Sequence, residues 1–428
     1  MKGFHYMNNL SLAYDKTFSC VQCGMCLPSC PTYLTLKEEK HSPRGRINLL
    51  KYYAEKKLSL EDIREGFEVC LGCMACQTVC PTGVDYGYIH HTAVEMLKEK
   101  EKKKNPVKYY SLKYTLSNSL NKKVSLKIMK KSLYSVQNVM NKESKVLNII
   151  GQKNKTFYQS LPTINKSNVN TRSPNYKDEK SKSLKVVYFK GCVMDVMFEK
   201  INDRAIEILE RHNIEVITLP NEICCGALQN HAGYSEDAKQ LAIKNIEMFE
   251  KIECDYIVNA IGGCGATLKE YPLYFSDEPG MQIRAKTFSD KNVDISVLLA
   301  QLELKLTKSL NYDVTYQPSC HLTNVQKVTK QPETIIKKIP GIHFTTLKEK
   351  DICCGSAGIY NIVQYENAMK VLDRKMGHVK ETRANVIVTS NPGCYLQMQV
   401  GIMREGLSEI VEVKHLVDLV YESCVEGK

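Results

Sequence analysis

Apolar positions along this 428-residue chain change their period from one stretch to the next. Between Ile47 and Lys57 they recur at helical spacing. Between Pro106 and Ile150, Leu112, Leu116, Leu120, Val124 and Ile128 recur at loose helical spacing among lysines, which predicts one or two basic amphipathic helices. Residues 151–183 are rich in Asn, Ser, Lys and Thr and poor in apolar side chains, a composition that predicts a flexible linker. Beyond it, short apolar runs alternate with helical stretches. The runs are Val186–Phe189, Tyr256–Val258, Val314–Tyr316 and Val386–Val388; the helical stretches are Ile201–His212, Ser235–Lys251, Pro332–Ile339 and Gln364–Thr382. Strands alternating with helices predict parallel sheets covered by helices.

The alternation occurs twice. Each copy places a cysteine after its first strand, an adjacent pair followed by glycine, and a last cysteine after its next strand. Cys192, Cys224, Cys225 and Cys264 form one set; Cys320, Cys353, Cys354 and Cys394 form the other. The sets are offset by 128 residues at the first cysteine, 129 at the pair and 130 at the last, which predicts a duplicated domain. The expected architecture is α+β overall: a helix-rich front domain over 1–100, a basic helical segment and linker over 101–183, and two α/β parallel-sheet domains over 184–310 and 311–428.

Composition narrows the classes. With 43% hydrophobic and 25% charged residues the chain is globular, neither disordered nor a small disulfide scaffold. No stretch reaches the roughly 18 apolar residues of a membrane span. Residues 1–18 lack the apolar core of a signal peptide, so a cytoplasmic setting with reduced thiols is expected. The 18 cysteines are then candidate metal ligands. The charge is uneven: residues 98–185 hold 22 Lys and Arg against 5 Asp and Glu, which is +17 of a total of +12, so the remainder carries −5. The basic segment predicts a solvated face, or a docking surface for a partner protein or anionic lipid. No nucleic-acid motif accompanies it, so nucleic acid is not an expected partner.

Near the amino terminus, Cys20, Cys23, Cys26 and Cys30 precede Pro31, and Cys70, Cys73, Cys76 and Cys80 precede Pro81. Both follow C-x2-C-x2-C-x3-C-P, the bacterial ferredoxin spacing for [4Fe–4S] clusters, in which the fourth cysteine serves the other cluster. The expected ligands are Cys20, Cys23, Cys26 and Cys80 for cluster one, and Cys70, Cys73, Cys76 and Cys30 for cluster two. Zinc usually takes paired C-x2-C units, which fits this spacing poorly. Arg44 and Arg46 are candidates to offset cluster charge or to hold a partner carboxylate, with a plain surface role as the alternative. The back sets place cysteines where strands end and helix N-termini point, a site suited to thiolates; a cluster, zinc, or buried structural thiols are the alternatives there. Cys254 and Cys424 have no repeat counterpart and are expected to be structural. His321, beside Cys320, is expected to be an ordinary hydrogen-bonded histidine, and His90, His91 and His231 have no partner visible in the sequence.

The order of these pieces resembles the iron–sulfur subunit family of glycolate oxidase. The resemblance is carried by CVQCGMCLPSCPTY (20–33), SPRGRINLLK (42–51), CLGCMACQTVCPTGVDYG (70–87), CCGALQNHAG (224–233), GGCGATLKEY (262–271), CCGSAGIY (353–360) and NPGCYLQ (391–397). It implies an electron-transfer subunit working with an FAD-containing dehydrogenase that oxidises glycolate, and a quinone or similar acceptor. Related subunits serve lactate utilisation, anaerobic glycerol-3-phosphate oxidation and heterodisulfide reduction. The last suggests a thiol–disulfide reductase as the alternative function. In those reductases the Cys-Cys-Gly motif closes with C-x-x-C; here Thr267 and Gln397 stand at the closing positions, leaving four candidate ligands per site. No dinucleotide or P-loop motif is present, so the flavin is expected on another chain.

Overall fold

A computed structural model describes residues 4–119, 123–139, 152–163, 184–219 and 222–424. The front is all-helical. Helices span Phe4–Thr17, Pro31–Leu36, Pro43–Ala54, Leu60–Glu68, Ala75–Thr78 and Tyr86–Lys104. Local chemistry starts them: Ser42 accepts from the Gly45 N–H with Pro43 at the first turn, and Ser59 and Asp62 form a reciprocal capping box. Ile47, Leu50, Ile63, Phe67, Ile89 and Ala93 close one core beneath the cysteine loops.

Two sheets follow. Strands β1 (Leu184–Tyr188), β2 (Ile214–Thr218), β3 (Tyr256–Asn259) and β4 (Asn292–Asp294) form the first, in the order β2-β1-β3-β4. Strands β5 (Tyr312–Gln317), β6 (Ile342–Phe344), β7 (Val386–Thr389) and β8 (Glu412–His415) form the second, in the order β6-β5-β7-β8. Every pairing is parallel. The same order in both sheets is the duplication seen in the sequence. Val186, Val187 and Tyr188 are all buried, as are Val386, Ile387 and Val388, because helices cover both faces of a parallel sheet. One core runs between the sheets, joining Val186, Tyr188 and Ile208 to Val314, Tyr316 and Val386.

The basic segment is a pair of helices, Pro106–Ser119 and Lys123–Val139, docked on the first repeat. Tyr109 is buried against Tyr234, whose hydroxyl donates to the Tyr109 carbonyl at 3.1 Å. Lys113 pairs with Asp237 at 3.0 Å and Lys130 with Glu199 at 2.6 Å. The linker expected over 151–183 starts differently: Gln152–Ser160 is a helix that buries Thr156, Ser160 and Leu161 against the second repeat. Composition suggested a linker because this helix has few apolar residues and is held by its small ones. Residues 164–183, and 140–150 of the expected basic helix, lie outside the described residues. Among the described residues no helix is long and apolar enough to cross a membrane.

Candidate iron–sulfur sites

Each cysteine loop of the front domain is folded tightly enough to turn its thiols inward. Gly24 (φ +82°) and Gly72 (φ +60°) take the left-handed conformation that lets the chain reverse between ligand positions. Two adjoining cavities result. The first, about 420 Å³ and partly open to solvent, is lined by Cys20, Cys23, Cys26 and Cys80, with Arg44 and Ile47. The second, about 290 Å³, is lined by Cys30, Cys70, Cys73 and Cys76, with Arg46. The second cavity thus combines three cysteines of one motif with the fourth of the other, and the first does the same with Cys76 added to its lining. Cys76 and Tyr86 line both, so the cavities share a wall. Among the described residues no three His, Cys, Asp or Glu side chains close around a single ion-sized point. Cavities edged by several sulfurs that do not converge on one ion-sized point suit a polynuclear cluster.

The two sites differ in exposure. Cys23 is open to solvent, whereas Cys30, Cys73 and Cys76 are buried. Burial pushes the Cys26 thiol up to about 11. It pushes Cys73 and Cys76 well above the usual thiol range, and neighbouring sulfurs add to the effect. Burial acts against the Cys70 thiolate too, yet His90, Arg46 and the Tyr86 hydroxyl, 3.3 Å from its sulfur, outweigh it and hold Cys70 at about 5. Thiols packed together cannot all ionise unaided; a bound cationic core removes that penalty.

The back sets meet at the carboxyl edge of each sheet. In the first repeat Cys192 opens the helix after β1 and lies 3.6 Å from Cys224, sulfur to sulfur, while the free thiols of Cys225 and Cys264 act on each other. In the second, Cys320 opens the helix after β5, 3.9 Å from Cys353, and the free thiols of Cys354 and Cys394 act on each other. Gly226 (φ +88°) and Gly355 (φ +93°) turn the chain so that an N–H reaches back to the Cys224 and Cys353 sulfurs at 3.4 and 3.5 Å. Both sets are therefore assembled, as compact nests of touching thiols. Cys254 is buried in the first repeat's core, and Cys424 is half-buried against the core between the sheets.

Several functional neighbours were invisible in the sequence. The second cysteine loop is seated on the second repeat: Asn324 donates to the Cys73 carbonyl at 2.9 Å, the Tyr360 hydroxyl donates to the Val69 carbonyl at 3.0 Å, and Leu71 and Cys73 share a core with Cys353 and Cys354. The histidines without evident partners gather at this junction. His91 bonds Asn230, and the His231 ring meets His321 edge-on at 5.1 Å. His321 itself lies 3.5 Å from the Cys320 sulfur. Half-buried Glu222 accepts from the Lys190 and Gly191 N–H groups and so shapes the turn before Cys192. Only contacts between distant segments bring these together, and no local pattern signals them.

Comparison with known proteins follows the same division. The 4Fe-4S dicluster domain family matches residues 16–84, and the Cysteine-rich domain family matches twice, over 186–269 and 314–399. The probable glycolate oxidase iron-sulfur subunit of Bacillus subtilis (strain 168) is 38% identical, over 95% of this chain and 94% of its own length. The chain belongs to the glycolate oxidase iron–sulfur subunit family. The glycolate oxidase iron-sulfur subunit of Escherichia coli (strain K12) is 26% identical over 95% of this chain and 93% of its own length. Lactate utilization protein A of Oceanobacillus iheyensis is 32% identical but matches only 55% of this chain. As a member of the glycolate oxidase iron–sulfur subunit family, this protein is an iron–sulfur component of an oxidoreductase complex. These relatives favour electron transfer over the disulfide-reductase alternative.

Proposed function

We propose that this chain relays electrons, one at a time, from a separate FAD-containing dehydrogenase subunit to a quinone or similar acceptor. The dehydrogenase would oxidise a 2-hydroxy acid, glycolate to glyoxylate in the first instance. Cys20, Cys23, Cys26 and Cys80 would hold one [4Fe–4S] cluster, and Cys70, Cys73, Cys76 and Cys30 the other; such clusters supply one-electron redox chemistry. The observation that carries the reading is the lining of the two adjoining cavities, which draw on cysteines of both motifs: Cys20, Cys23, Cys26 and Cys80 at the first, Cys30, Cys70 and Cys73 at the second, and Cys76 on the wall between them. The chain's own part is to fix eight thiolates, to leave Cys23 facing outward where a donor can approach, and to bury the second site against the second repeat. Cys192, Cys224, Cys225 and Cys264, and Cys320, Cys353, Cys354 and Cys394, are proposed as further four-cysteine sites for an iron–sulfur cluster or zinc. The divisions 1–100, 101–183, 184–310 and 311–428 are proposed as its domains. The basic helices expose Val107, Tyr110 and Tyr114 along one stripe, which supports peripheral contact with anionic lipid on the cytoplasmic face.

The test is anaerobic purification of Cys23→Ser and Cys73→Ser variants with their co-purifying flavoprotein. Each variant is expected to lose one [4Fe–4S] signal and to interrupt reduction of the acceptor. Full iron content and full turnover in either variant would sink the ligand assignment. Turnover of the complex with glycolate, lactate and glycerol 3-phosphate identifies the substrate.

A further inference from the structure

Arg46 has the largest side chain buried almost completely in the molecule, at 1% exposure. Its guanidinium donates from Nε to the Gly66 carbonyl at 2.5 Å, from Nη2 to the Thr32 hydroxyl at 2.9 Å, and from Nη1 toward the Cys30 sulfur at 3.8 Å. Thr32 Oγ1 in turn lies 3.3 Å from the same sulfur. Among the described residues no carboxylate comes within ion-pairing distance of Arg46. The ionisable groups that favour its charge are Cys70, Tyr86 and Cys30, two of them thiols of the second cavity. A buried cation without an anion is strongly disfavoured, so the fold requires a negative group at this place.

Arg44, two residues earlier, provides the contrast. It lines the first cavity, but its Nε donates to the Glu39 carboxylate at 2.7 Å and its side chain is part-exposed. Solvent and Glu39 both quench its field at the first site. The motif Ser42-Pro43-Arg44-Gly45-Arg46 thus sends one arginine to each cavity, neutralised at the first and unpaired at the second.

Resting on the two-cluster assignment above, we propose that Arg46 is the built-in counter-ion of the second cluster and raises its reduction potential relative to the first, giving the relay its direction from the solvent-facing site inward. Charge, hydrogen bonds to sulfur and exposure set the potentials of such clusters. Burial alone would disfavour the more negative, reduced state at the second site; a fixed cation beside Cys30 and Cys70 offsets that. The favoured step moves one electron from the first site to the second, with no bond made or broken and no proton transferred. Arg46 acts here through the cysteines and is a positioning residue.

The experiment is a redox titration of the anaerobically purified full-length protein, monitored by electron paramagnetic resonance, for wild type, Arg46→Gln, Arg46→Lys and Arg44→Gln. In Arg46→Gln the second cluster's ratio of reduced to oxidised form at fixed potential should fall about tenfold, about 59 mV for a one-electron couple. The first cluster should not move. The displacement should be the same at acid and alkaline pH, because a guanidinium does not titrate. Arg46→Lys should retain most of the wild-type midpoint, and Arg44→Gln should leave both clusters nearly in place. No shift in Arg46→Gln, an equal shift of both clusters, or an equally large effect of Arg44→Gln would overturn the proposal. Should Arg46→Gln fail to take up its second cluster, Arg46→Lys decides: a retained midpoint supports the charge role, and a large negative shift overturns it. Wild-type protein lacking two distinct cluster signals would instead count against the ligand assignment.

Discussion

Gly226 and Gly355 occupy equivalent places in the two repeats, yet the same substitution should not cost the same at each. Both lie at strongly positive φ, +88° and +93°, so alanine at either place carries about 1–3 kcal/mol of backbone strain. Their surroundings differ. A methyl added at Gly226 would stand 3.3 Å from the Ala238 Cα, a tight but adjustable approach. A methyl added at Gly355 would stand 2.8 Å from the Ala368 carbonyl oxygen. That oxygen belongs to the helix Tyr365–Thr382 and cannot rotate aside, so overpacking adds about 1–3 kcal/mol. Gly355→Ala should therefore destabilise its repeat by about twice as much as Gly226→Ala destabilises the other. With no tryptophan in the chain and several domains, one unfolding curve would blend the two effects. Hydrogen exchange resolved by peptide separates them: the helix Tyr365–Thr382 should lose more protection in Gly355→Ala than Ser235–Phe249 loses in Gly226→Ala. Equal losses, or the reverse order, would show that steric fit at the Cys-Cys-Gly turn is not what distinguishes the repeats.

Tyr360→Phe leaves the Val69 carbonyl unpaired and Asn324→Ala does the same to the Cys73 carbonyl; each should weaken seating of the second cysteine loop by about 1–3 kcal/mol. A chelator challenge should then strip iron from the second site faster than from the first, and unchanged rates would argue against this seating. Burial raises the Asp294 carboxyl to about 6 despite hydrogen bonds from Ser296. Its folded value thus lies above the unfolded one, so its contribution is full below the unfolded value and disappears as pH rises through about 6. Asp294→Asn should remove that slope and stabilise the first repeat at neutral pH; denaturant unfolding at several pH values checks it.

How much of this could be read in advance depended on whether the information was local. The ferredoxin spacing pointed to eight thiols and the sheet-edge argument to eight more, because ligand spacing and strand ends are local features. The four longer runs became β1, β3, β5 and β7. Strands β2, β4, β6 and β8 were not anticipated: β4 and β6 have three residues each, and β2 and β8 mix in charged or polar residues, so none offers a clear period. Gln152–Ser160 was missed because Thr156 and Ser160 hold it, and neither marks an apolar face. His91 meets Asn230 across 139 residues of chain and the His231 ring meets His321 from the other repeat, separations that no window along the chain can join.

Duplication explains why the two back sites, built alike, have unlike surroundings. A parallel sheet leaves its carboxyl edge open in every copy, and something must cover it. At the first repeat the cover is the basic segment: Tyr109 and Leu112 pack with Cys192, Cys224 and Tyr234. At the second it is the ferredoxin loop, with Leu71 and Cys73 packed among Cys353, Cys354 and Tyr360. Among the described residues, the second site is the one packed with a proposed cluster ligand, Cys73. Two identical folds fused in tandem cannot both face the single front domain in this way, so the asymmetry follows from joining one relay domain to a pair of repeats. Any electronic role for the back cysteines should accordingly reside in Cys320, Cys353, Cys354 and Cys394, while the first set lies under the basic segment, whose Val107, Tyr110 and Tyr114 face outward.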